Sequence, residues 1–165
     1  MKEIKLTQNK VALVDDEDYE YLNQFKWYAK KDKYTYYAGR GVRYGNKVYQ
    51  LQMHRIIMNT LEIMEIDHKD HNGLNNQKSN LRICTRSQNN KNVMPWGKSK
   101  YLGVCFSNSS YKDKTYTSIQ SRIRVDGKIY HLGASKTEVQ AARRYDAAAL
   151  YFHNEFANLN FKEAI

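Results

Sequence analysis

Four side chains in the middle of the chain have the types and the spacing needed to break phosphodiester bonds: Asp67, His68, Asn80 and Asn89. Hydrolysis of such a bond needs an activated water, a Lewis acid on the phosphate and stabilisation of the leaving oxygen. A neutral imidazole suits the base, and His68 is the candidate. The oxygens of Asp67 and Asn89 suit one hard divalent cation, Mg²⁺ or Mn²⁺. Asn80 holds the loop or fixes the His68 tautomer through a backbone carbonyl.

Local sequence signals predict the elements that carry these four residues. Residues 64–68 are typical of a strand, Asn72-Gly73 of a turn, and residues 81–84 of a second strand. Thr85-Arg86-Ser87-Gln88 has the pattern of a capping box, so a helix is expected to begin there and to end before Pro95. The order strand, loop, strand, helix would bring the four side chains together.

This stretch resembles the HNH nucleases, and most closely the phage intron-encoded homing endonucleases among them. The matching segments are Asp67-His68, residues 72–76, Ser79-Asn80-Leu81-Arg82 and residues 85–89. The resemblance implies that Asp67 and Asn89 bind the metal, that His68 is the general base, and that Asn80 is the central structural residue. Asn89 stands where many members have His, which implies one weakly held divalent ion rather than a tightly bound zinc.

A second Asp-His pair, Asp70-His71, follows three residues after the first. His71 lies only nine residues before Asn80, which fits the family spacing less well than His68 does. We therefore favour Asp67-His68 and interpret His71 as a phosphate neighbour or a loop residue. For His54, a packing or hydrogen-bonding role is favoured over chemistry.

The first fifty or so residues predict short strands around one small helix. Residues 11–14 form an apolar strand, and the acidic run 15–18 favours a helix start. The helix would use Tyr19, Leu22, Phe25 and Tyr28 as its apolar face. Residues 34–38 and 47–51 predict a strand pair, and a short helix is expected at residues 53–59. The turn residues of that pair are expected to be Gly39, Gly41, Gly45 and Asn46.

The last third predicts strands at residues 102–106, 117–125 and 128–132, the last ended by Gly133, with a hairpin turn at Asp126-Gly127. Thr137 to Gln140 is another capping box, and the Ala-rich residues 141–153 predict a helix. Along the second strand, residues 121, 123 and 125 would face this helix. The opposite face would be open to base edges or phosphates, and it carries Gln120, Arg122 and Arg124, extended by Lys128 and His131.

This region resembles the AP-two DNA-binding domain of plant ethylene-response factors. The matching segments are residues 101–104, 122–124, 131–133, 141–148 and 159–161. The resemblance implies a three-stranded antiparallel sheet that is backed by one helix and enters the major groove. The plant domains carry several arginines on the first strand, where this chain has Leu102, Cys105 and Ser107, and the loop 107–115 is longer. Base preference therefore cannot be transferred.

The charge distribution favours a polyanionic partner. The formal net charge is +10, and no Asp or Glu occurs from His71 to Lys112. This acid-free stretch includes Arg82, Arg86 and Lys91, which we expect to contact phosphates. Such contacts favour binding because they release the counterions that are condensed on DNA. Duplex DNA is the predicted partner. A solvated basic face is the alternative that charge alone leaves open.

The remaining features set the class of protein. The two cysteines, Cys84 and Cys105, form no CxxC pair, so neither a structural zinc nor a disulfide framework is expected. No signal or transmembrane segment is evident, which favours the cytoplasm of a bacterium or a phage-infected cell, and no membrane partner or small-molecule cofactor is expected.

The predicted fold class is α+β with three parts: a small β-rich module (1–52), a ββα-metal nuclease module (53–95), and a three-stranded antiparallel sheet packed on one helix (96–165). The predicted function is a site-directed, single-metal DNA endonuclease of a mobile genetic element, acting as a monomer or weak dimer. Two alternatives are kept: a non-catalytic DNA-binding regulator with a decayed nuclease motif, and a protein that binds or cuts RNA.

Overall fold

The computed structural model of the chain describes residues 1–60 and 63–162. The chain is a mixed α and β protein with several small sheets and few helices, and it divides into two compact units, residues 1–89 and 90–165. The prediction of three modules remains a prediction. Unit 1 contains strands β1 (Lys2–Lys5), β2 (Val11–Val14), β3 (Tyr28–Lys31), β4 (Tyr36–Tyr44), β5 (Lys47–Gln52), β6 (Glu65–His68) and β7 (Leu81–Cys84), and helices α1 (Asp16–Leu22), α2 (Met53–Met58) and α3 (Arg86–Asn89).

Unit 1 is built from three antiparallel sheets: β1-β2, β3-β4-β5 and β6-β7. Alternation along β2 turns Ala12 and Val14 inward, where both are fully buried. They pack with Leu22 of α1, with Trp27 and with Met53 of α2 in one apolar cluster. The same cluster therefore joins the N-terminal sheets to the helix that precedes β6.

The long loop between β6 and β7 is fixed to strand β2. Leu13 donates its N–H to the carbonyl of Leu74 and accepts from the N–H of Asn76, both at 2.8 Å. Asp15, which follows β2, accepts hydrogen bonds from the side chain of Gln77 and the N–H of Lys78. A loop of twelve residues between two short strands is thereby held by the backbone of a distant strand.

Two sequence predictions for unit 1 differ from the structure. Helix α1 ends at Leu22, so Phe25 lies beyond it, and Tyr28 begins β3; neither residue is part of the helix face. Gly39 and Gly41 lie inside β4, and the turn of the hairpin is formed by Gly45 and Asn46 alone. Gly39 serves packing there, because a Cβ would lie 3.0 Å from the ring of Tyr28.

Unit 2 is a three-stranded antiparallel sheet with one long helix packed on it. The strands are β8 (Val104–Tyr111), β9 (Lys114–Val125) and β10 (Lys128–Ser135), in the order β10-β9-β8, and the helix is α4 (Glu138–His153), followed by a 3₁₀ turn at Asn154–Phe156. Ile123 of β9 packs against Tyr145 and Ala149 of α4. At Gly103 a Cβ would lie only 1.9 Å from the Tyr145 ring, so a larger residue would push the helix off the sheet.

Two predictions for unit 2 also differ from the structure. Residues 107–115 are not a loop: β8 and β9 pair through them and turn at Lys112-Asp113, both with positive φ. Gly133 does not end the third strand but follows an irregularity in the register of β10, which continues to Ser135. The cap of α4 is as expected, since the Thr137 hydroxyl accepts from the N–H of Gln140 at 3.2 Å. None of the described helices has the length and apolarity needed to cross a membrane.

Candidate active site

Strand β6 presents Asp67 and His68 at its C-terminal end, next to its partner strand β7. The register pairs Glu65 with Cys84, Asp67 with Arg82 and His68 with Leu81. Because neighbouring side chains of a strand point to opposite faces, Glu65 and Asp67 share one face, and His68 lies on the other. Both Asp67 and His68 are buried, with exposed fractions of 5% and 6%.

The carboxylate of Asp67 is paired with the guanidinium of Arg82. Nε and one terminal nitrogen of Arg82 lie 2.7 and 2.6 Å from Oδ2 of Asp67, and the Arg82 side chain is only 15% exposed. Arg82 was predicted from sequence to contact DNA. The structure places its charge against the candidate metal ligand, where it compensates a buried carboxylate.

We expect Arg82→Ala to lower the free energy of unfolding by about 3 kcal/mol, because the Asp67 carboxylate stays buried without its cation. Urea unfolding at neutral pH measures this loss. Arg86→Ala is the matched control, since Arg86 is exposed on α3, and surface changes of this kind alter stability by less than about 0.5 kcal/mol. Equal losses in the two variants would show that the pairing with Asp67 contributes nothing specific.

The imidazole of His68 is enclosed by an amide and two rings. Its Nε2 lies 3.3 Å from Oδ1 of Asn76, a fully buried side chain. The His54 ring stands edge-on to it at 5.1 Å between centroids, and the Tyr37 ring lies at 5.7 Å. Burial lowers the pKa of His68, although the hydrogen bond to Asn76 and the charges of Asp70 and Asp67 act in the opposite direction. The ring is therefore neutral at pH 7, as a general base must be.

His54 on α2 is a second buried histidine. Its exposed fraction is 5%, and its Nδ1 has no hydrogen-bond partner in the described part of the chain. Burial lowers the pKa of His54 to about 3, with smaller contributions from His68 and Arg55. His54 thus supports the back of the His68 ring as a neutral side chain, in agreement with the packing role that the sequence favoured.

The depressed pKa of His54 predicts that acid destabilises the protein. Between the folded-state pKa of about 3 and the unfolded value of about 6.5 the unfolded chain binds the extra proton, so stability falls as the pH drops below about 6.5. From this residue alone we expect a loss on the order of 2 kcal/mol between pH 7 and pH 5.

Urea unfolding at several pH values tests this expectation. His54→Leu should reduce the loss of stability between pH 7 and pH 5 by that amount. His131→Gln, at an exposed histidine of unit 2, is the control and should leave the loss unchanged. A His54→Leu protein as acid-sensitive as the wild type would refute the assignment.

Asn80 and Asp70 hold the loop between the two strands. Nδ2 of Asn80 donates to Oδ1 of Asp70 and to the carbonyl of Asn75, at 2.9 and 2.8 Å, and its Oδ1 accepts from the N–H of Asp70. Burial acts to raise the Asp70 pKa, but hydrogen bonds from Asn75, Asn72 and Asn80 outweigh it and lower that pKa. The Asp70 carboxylate therefore works as a hydrogen-bond hub of the loop. The neighbouring His71 adopts a left-handed backbone, with φ of 62°.

Asn89 lies at the end of α3, which is shorter than the sequence suggested. The helix covers Arg86–Asn89, and the expected capping box is formed in both directions: the Thr85 hydroxyl accepts from the N–H of Gln88 at 3.2 Å, and the Gln88 side chain accepts from the N–H of Thr85 at 2.8 Å. Nδ2 of Asn89 donates to Oε2 of Glu65 at 2.6 Å. Glu65 shares its strand face with Asp67, so the amide of Asn89 reaches the side of β6 that carries Asp67.

The donor set on this face fits a hard divalent cation. Glu65 engages the amide nitrogen of Asn89, which leaves the amide oxygen as its donor atom, and Asp67 adds a carboxylate. Within residues 1–60 and 63–162, no group of three or more His, Cys, Asp or Glu side chains is placed to hold a metal. A hard ion bound here would thus depend on few protein oxygens, with water and phosphate completing its shell.

The remaining predicted DNA contacts lie on α3, in the segment that follows it and on the sheet of unit 2. Arg86 is exposed on α3, and Lys91 is half-buried at the start of unit 2, where its charge acts on His153. On the sheet, Arg124 and His131 are exposed, and His131 pairs with Arg122 in the register. The Arg122 guanidinium lies 5.9 Å from the ring centre of Trp96.

Lys128 and Gln120 occupy different environments on that sheet. Lys128 pairs with Val125, whose side chain packs towards α4. The Lys128 side chain therefore leaves the backbone on the helix side of the sheet and not on the open face where it was predicted. Gln120 lies on the open side, and its Nε2 donates to the hydroxyl of Ser118 at 3.2 Å. Of the predicted contacts on this sheet, Gln120, Arg122, Arg124 and His131 share one face.

The segment that contains the candidate active-site residues is similar to known proteins. Residues 62–91 match the family model described as HNH endonuclease. A protein of Acanthamoeba polyphaga mimivirus, named "Uncharacterized HNH endonuclease L560", is 30% identical over 156 residues, which cover 90% of this chain and 74% of that relative.

The chain belongs to the HNH endonuclease family. The segment matched by the HNH model contains Asp67, His68, Asn80 and Asn89, together with the loop that Asp70 organises. Glycine is required within that loop, because a Cβ on Gly73 would lie 2.6 Å from the carbonyl of Tyr36. No solved structure matches the chain significantly.

Two residues of this HNH site were missed by sequence reasoning: Glu65 and Asn76. The alternation of side chains along residues 64–68 already placed residue 65 on the face of Asp67, so Glu65 could have been found. Asn76 had no comparable signal. It stands in a run of polar loop residues, and only the pairing of that loop with β2 buries it beside His68.

Proposed function

We propose that this chain is a site-directed DNA endonuclease that depends on a single divalent metal ion, of the homing-endonuclease type. One observation carries the proposal: a buried Asp67-His68 pair ends β6, and Glu65 holds the amide of Asn89 on the Asp67 face of the same strand. A purely structural hairpin would gain nothing from burying an aspartate and a histidine at adjacent positions, since both lose hydration.

The residues divide the chemistry between them. His68 takes a proton from the attacking water, whose oxygen bonds to phosphorus while the bond to the leaving sugar oxygen breaks. Asp67 and Asn89 would hold a divalent metal ion, Mg²⁺ or Mn²⁺, and that ion would supply Lewis-acid stabilisation of the phosphate and of the leaving oxygen. Asn80 keeps the loop in place through its bonds to Asp70 and Asn75. Arg82 orients Asp67 and compensates its charge.

The sheet of unit 2 is proposed to bind the duplex and to recruit the nuclease to its site. Its open face carries Arg122, Arg124 and His131, and a β-ribbon or small sheet of this kind fits the major groove. The resemblance to the AP-two domain favours the same use. A tethered DNA-binding unit raises the local concentration of the nuclease near a chosen sequence, which is what an element that inserts at defined sites requires.

The setting and the product follow from the same proposal. The described residues of one chain contain one such site, so a monomer would nick one strand, and a double-strand cut would need two encounters or a weak dimer. We propose action in the cytoplasm of a bacterium or a virus-infected cell, in the service of a mobile element. The name of the mimivirus relative is compatible with such a setting.

The proposal is tested on supercoiled plasmid with the full-length protein. With Mg²⁺ or Mn²⁺ we expect conversion to the nicked form, and with EDTA no conversion. Binding to duplex DNA without cleavage in either metal would instead support a DNA-binding regulator with a decayed site. A preference for single strands or RNA in the same competition series would support RNA as the substrate.

A further inference from the structure

A buried amide, Asn76, is placed to decide which nitrogen of His68 carries the proton. Asn76 has an exposed fraction of 0%, and its Oδ1 lies 3.3 Å from Nε2 of His68. Fully buried polar side chains in proteins are nearly always hydrogen-bonded. The orientation of this amide therefore defines the state of the imidazole beside it.

The structure fixes that orientation from the other end of the side chain. Nδ2 of Asn76 donates to the carbonyl of Leu74 at 3.3 Å. If the amide were flipped, its oxygen would face a carbonyl oxygen that can only accept, and two acceptors would repel each other. The amide nitrogen thus faces Leu74, and the amide oxygen faces His68.

The backbone around Asn76 is equally constrained. The N–H of Asn76 donates to the carbonyl of Leu13, and the carbonyl of Leu74 accepts from the N–H of Leu13, both at 2.8 Å. These bonds to β2 fix the backbone position from which the buried amide reaches His68. Strand β2, some sixty residues earlier in the chain, is therefore part of the support of the active site.

We propose that Asn76 is a positioning residue that holds neutral His68 as the Nε2–H tautomer, with its basic lone pair on Nδ1. An amide oxygen accepts only, so the nitrogen that faces it must donate. The edge-on ring of His54 and the tilted ring of Tyr37 pack against the imidazole and hold its plane in the orientation that this hydrogen bond needs. The inference rests on the proposed function only in that Nδ1 is the atom that takes the proton from water.

The tautomer is measured directly by long-range ¹H–¹⁵N spectra of the full-length ¹⁵N-labelled protein at about pH 7.5. The chain has five histidines, and His68 is assigned by the signals that disappear in His68→Gln. We expect the proton on Nε2 in the wild type. A proton mainly on Nδ1 would overturn the proposal without any variant at position 76.

Three substitutions extend the test to catalysis. Asn76→Leu keeps the size but removes the acceptor, so the tautomer should shift towards Nδ1–H and the single-turnover rate should fall by roughly 10- to 100-fold. DNA affinity in EDTA should stay unchanged. Asn76→Asp keeps an acceptor and should restore the Nε2–H form, which matters if the leucine variant does not fold. Asn75→Leu is the comparison for loop damage, because it removes the bonds of Asn75 to Asp70 and Gln77 in the same loop, and His68 should remain the Nε2–H tautomer in this variant.

The outcomes separate this inference from the proposed function. A protein with Nε2–H on His68 that never cleaves DNA refutes the nuclease but keeps the tautomer assignment. A protein that cleaves DNA with Nδ1–H on His68 keeps the nuclease and refutes the role of Asn76. An Asn76→Leu protein with unchanged tautomer and rate also refutes that role.

Discussion

His68→Ala is expected to lower the single-turnover rate of DNA cleavage by about 10³-fold and to leave DNA affinity in EDTA within a factor of two, because a general base contributes 10²- to 10⁴-fold. The ring of His68 is buried against His54, Tyr37 and Asn76, so it has little surface with which to bind DNA. Truncation also leaves a cavity, and His68→Gln therefore accompanies it as a variant of similar size without a comparable base.

The matched control is His71→Asn. His71 belongs to the second Asp-His pair, and its φ of 62° is a backbone conformation that Asn tolerates well. Activity should survive in this variant. If His71→Asn abolishes cleavage and His68→Gln does not, the base belongs to the second pair, and the interpretation of Asp70 as a loop hub is wrong as well.

The pH profile gives a further check on the same residue. Burial lowers the pKa of His68 below its ordinary value of 6.5. The base acts in its neutral form, so the cleavage rate is retained at pH 6.5 and is lost only as the pH falls through the lower, folded-state pKa. A rate that already halves at or above pH 7 would contradict the burial of His68.

The parts of the site that the sequence predicted are those encoded by neighbouring residues. The strand at Leu81–Cys84 and the reciprocal capping box of Thr85 and Gln88 appear in the structure as expected. Each depends on a run of four to six residues, within which side-chain type and backbone conformation are directly coupled. Family resemblance then supplied the spacing of Asp67, His68, Asn80 and Asn89.

The parts that the sequence did not predict depend on which strands lie together. The bond from Asn76 to His68 exists because the loop pairs with β2, a contact between segments about sixty residues apart. The pairing of Arg82 with Asp67 depends on the register of β6 against β7, and a shift of one residue would place Arg82 elsewhere. A basic residue in an acid-free stretch was therefore assigned to DNA, whereas the fold uses it inside the site.

The strand pair β8-β9 shows a different limit of prediction from the sequence. The Ser- and Asn-rich residues 107–110 have low strand propensity, and the turn Lys112-Asp113 lacks glycine. Both turn residues nevertheless adopt positive φ, which closes a tight hairpin whose register runs from Val104 to Tyr111. Cross-strand pairing along the whole ribbon stabilises a conformation that the turn residues alone do not favour.

Asn89→Ala is expected to raise the Mg²⁺ or Mn²⁺ concentration for half-maximal cleavage by at least about 10-fold and to lower the rate at fixed metal by about 10²-fold. The variant removes one of the two oxygen ligands proposed for the ion. The charge of Asp67 and its pairing with Arg82 remain. A loss of metal response can therefore be separated from a loss of folding, which thermal unfolding in EDTA would reveal.

Asn89→His is the matching substitution, and it is expected to strengthen metal binding. An imidazole in this position can ligate a metal through one nitrogen and donate its other N–H to Glu65, the carboxylate that now holds the amide of Asn89. Nitrogen ligands favour softer divalent ions, so this variant should retain cleavage and respond to Mn²⁺, Ni²⁺ or Zn²⁺ at lower concentrations than the wild type. Glu65→Ala should cancel the gain, because the histidine would lose the group that orients it.

Asn90→Ala serves as the control, since Asn90 is the exposed neighbour of Asn89 just after α3. The metal response should be measured both by cleavage and by the metal-dependent shift of the unfolding temperature, so that binding is seen without turnover. If Asn89→Ala and Asn90→Ala give the same metal curves in both measurements, Asn89 is not a ligand. The carboxylate of Asp67 would then have to bind the ion with partners other than this amide.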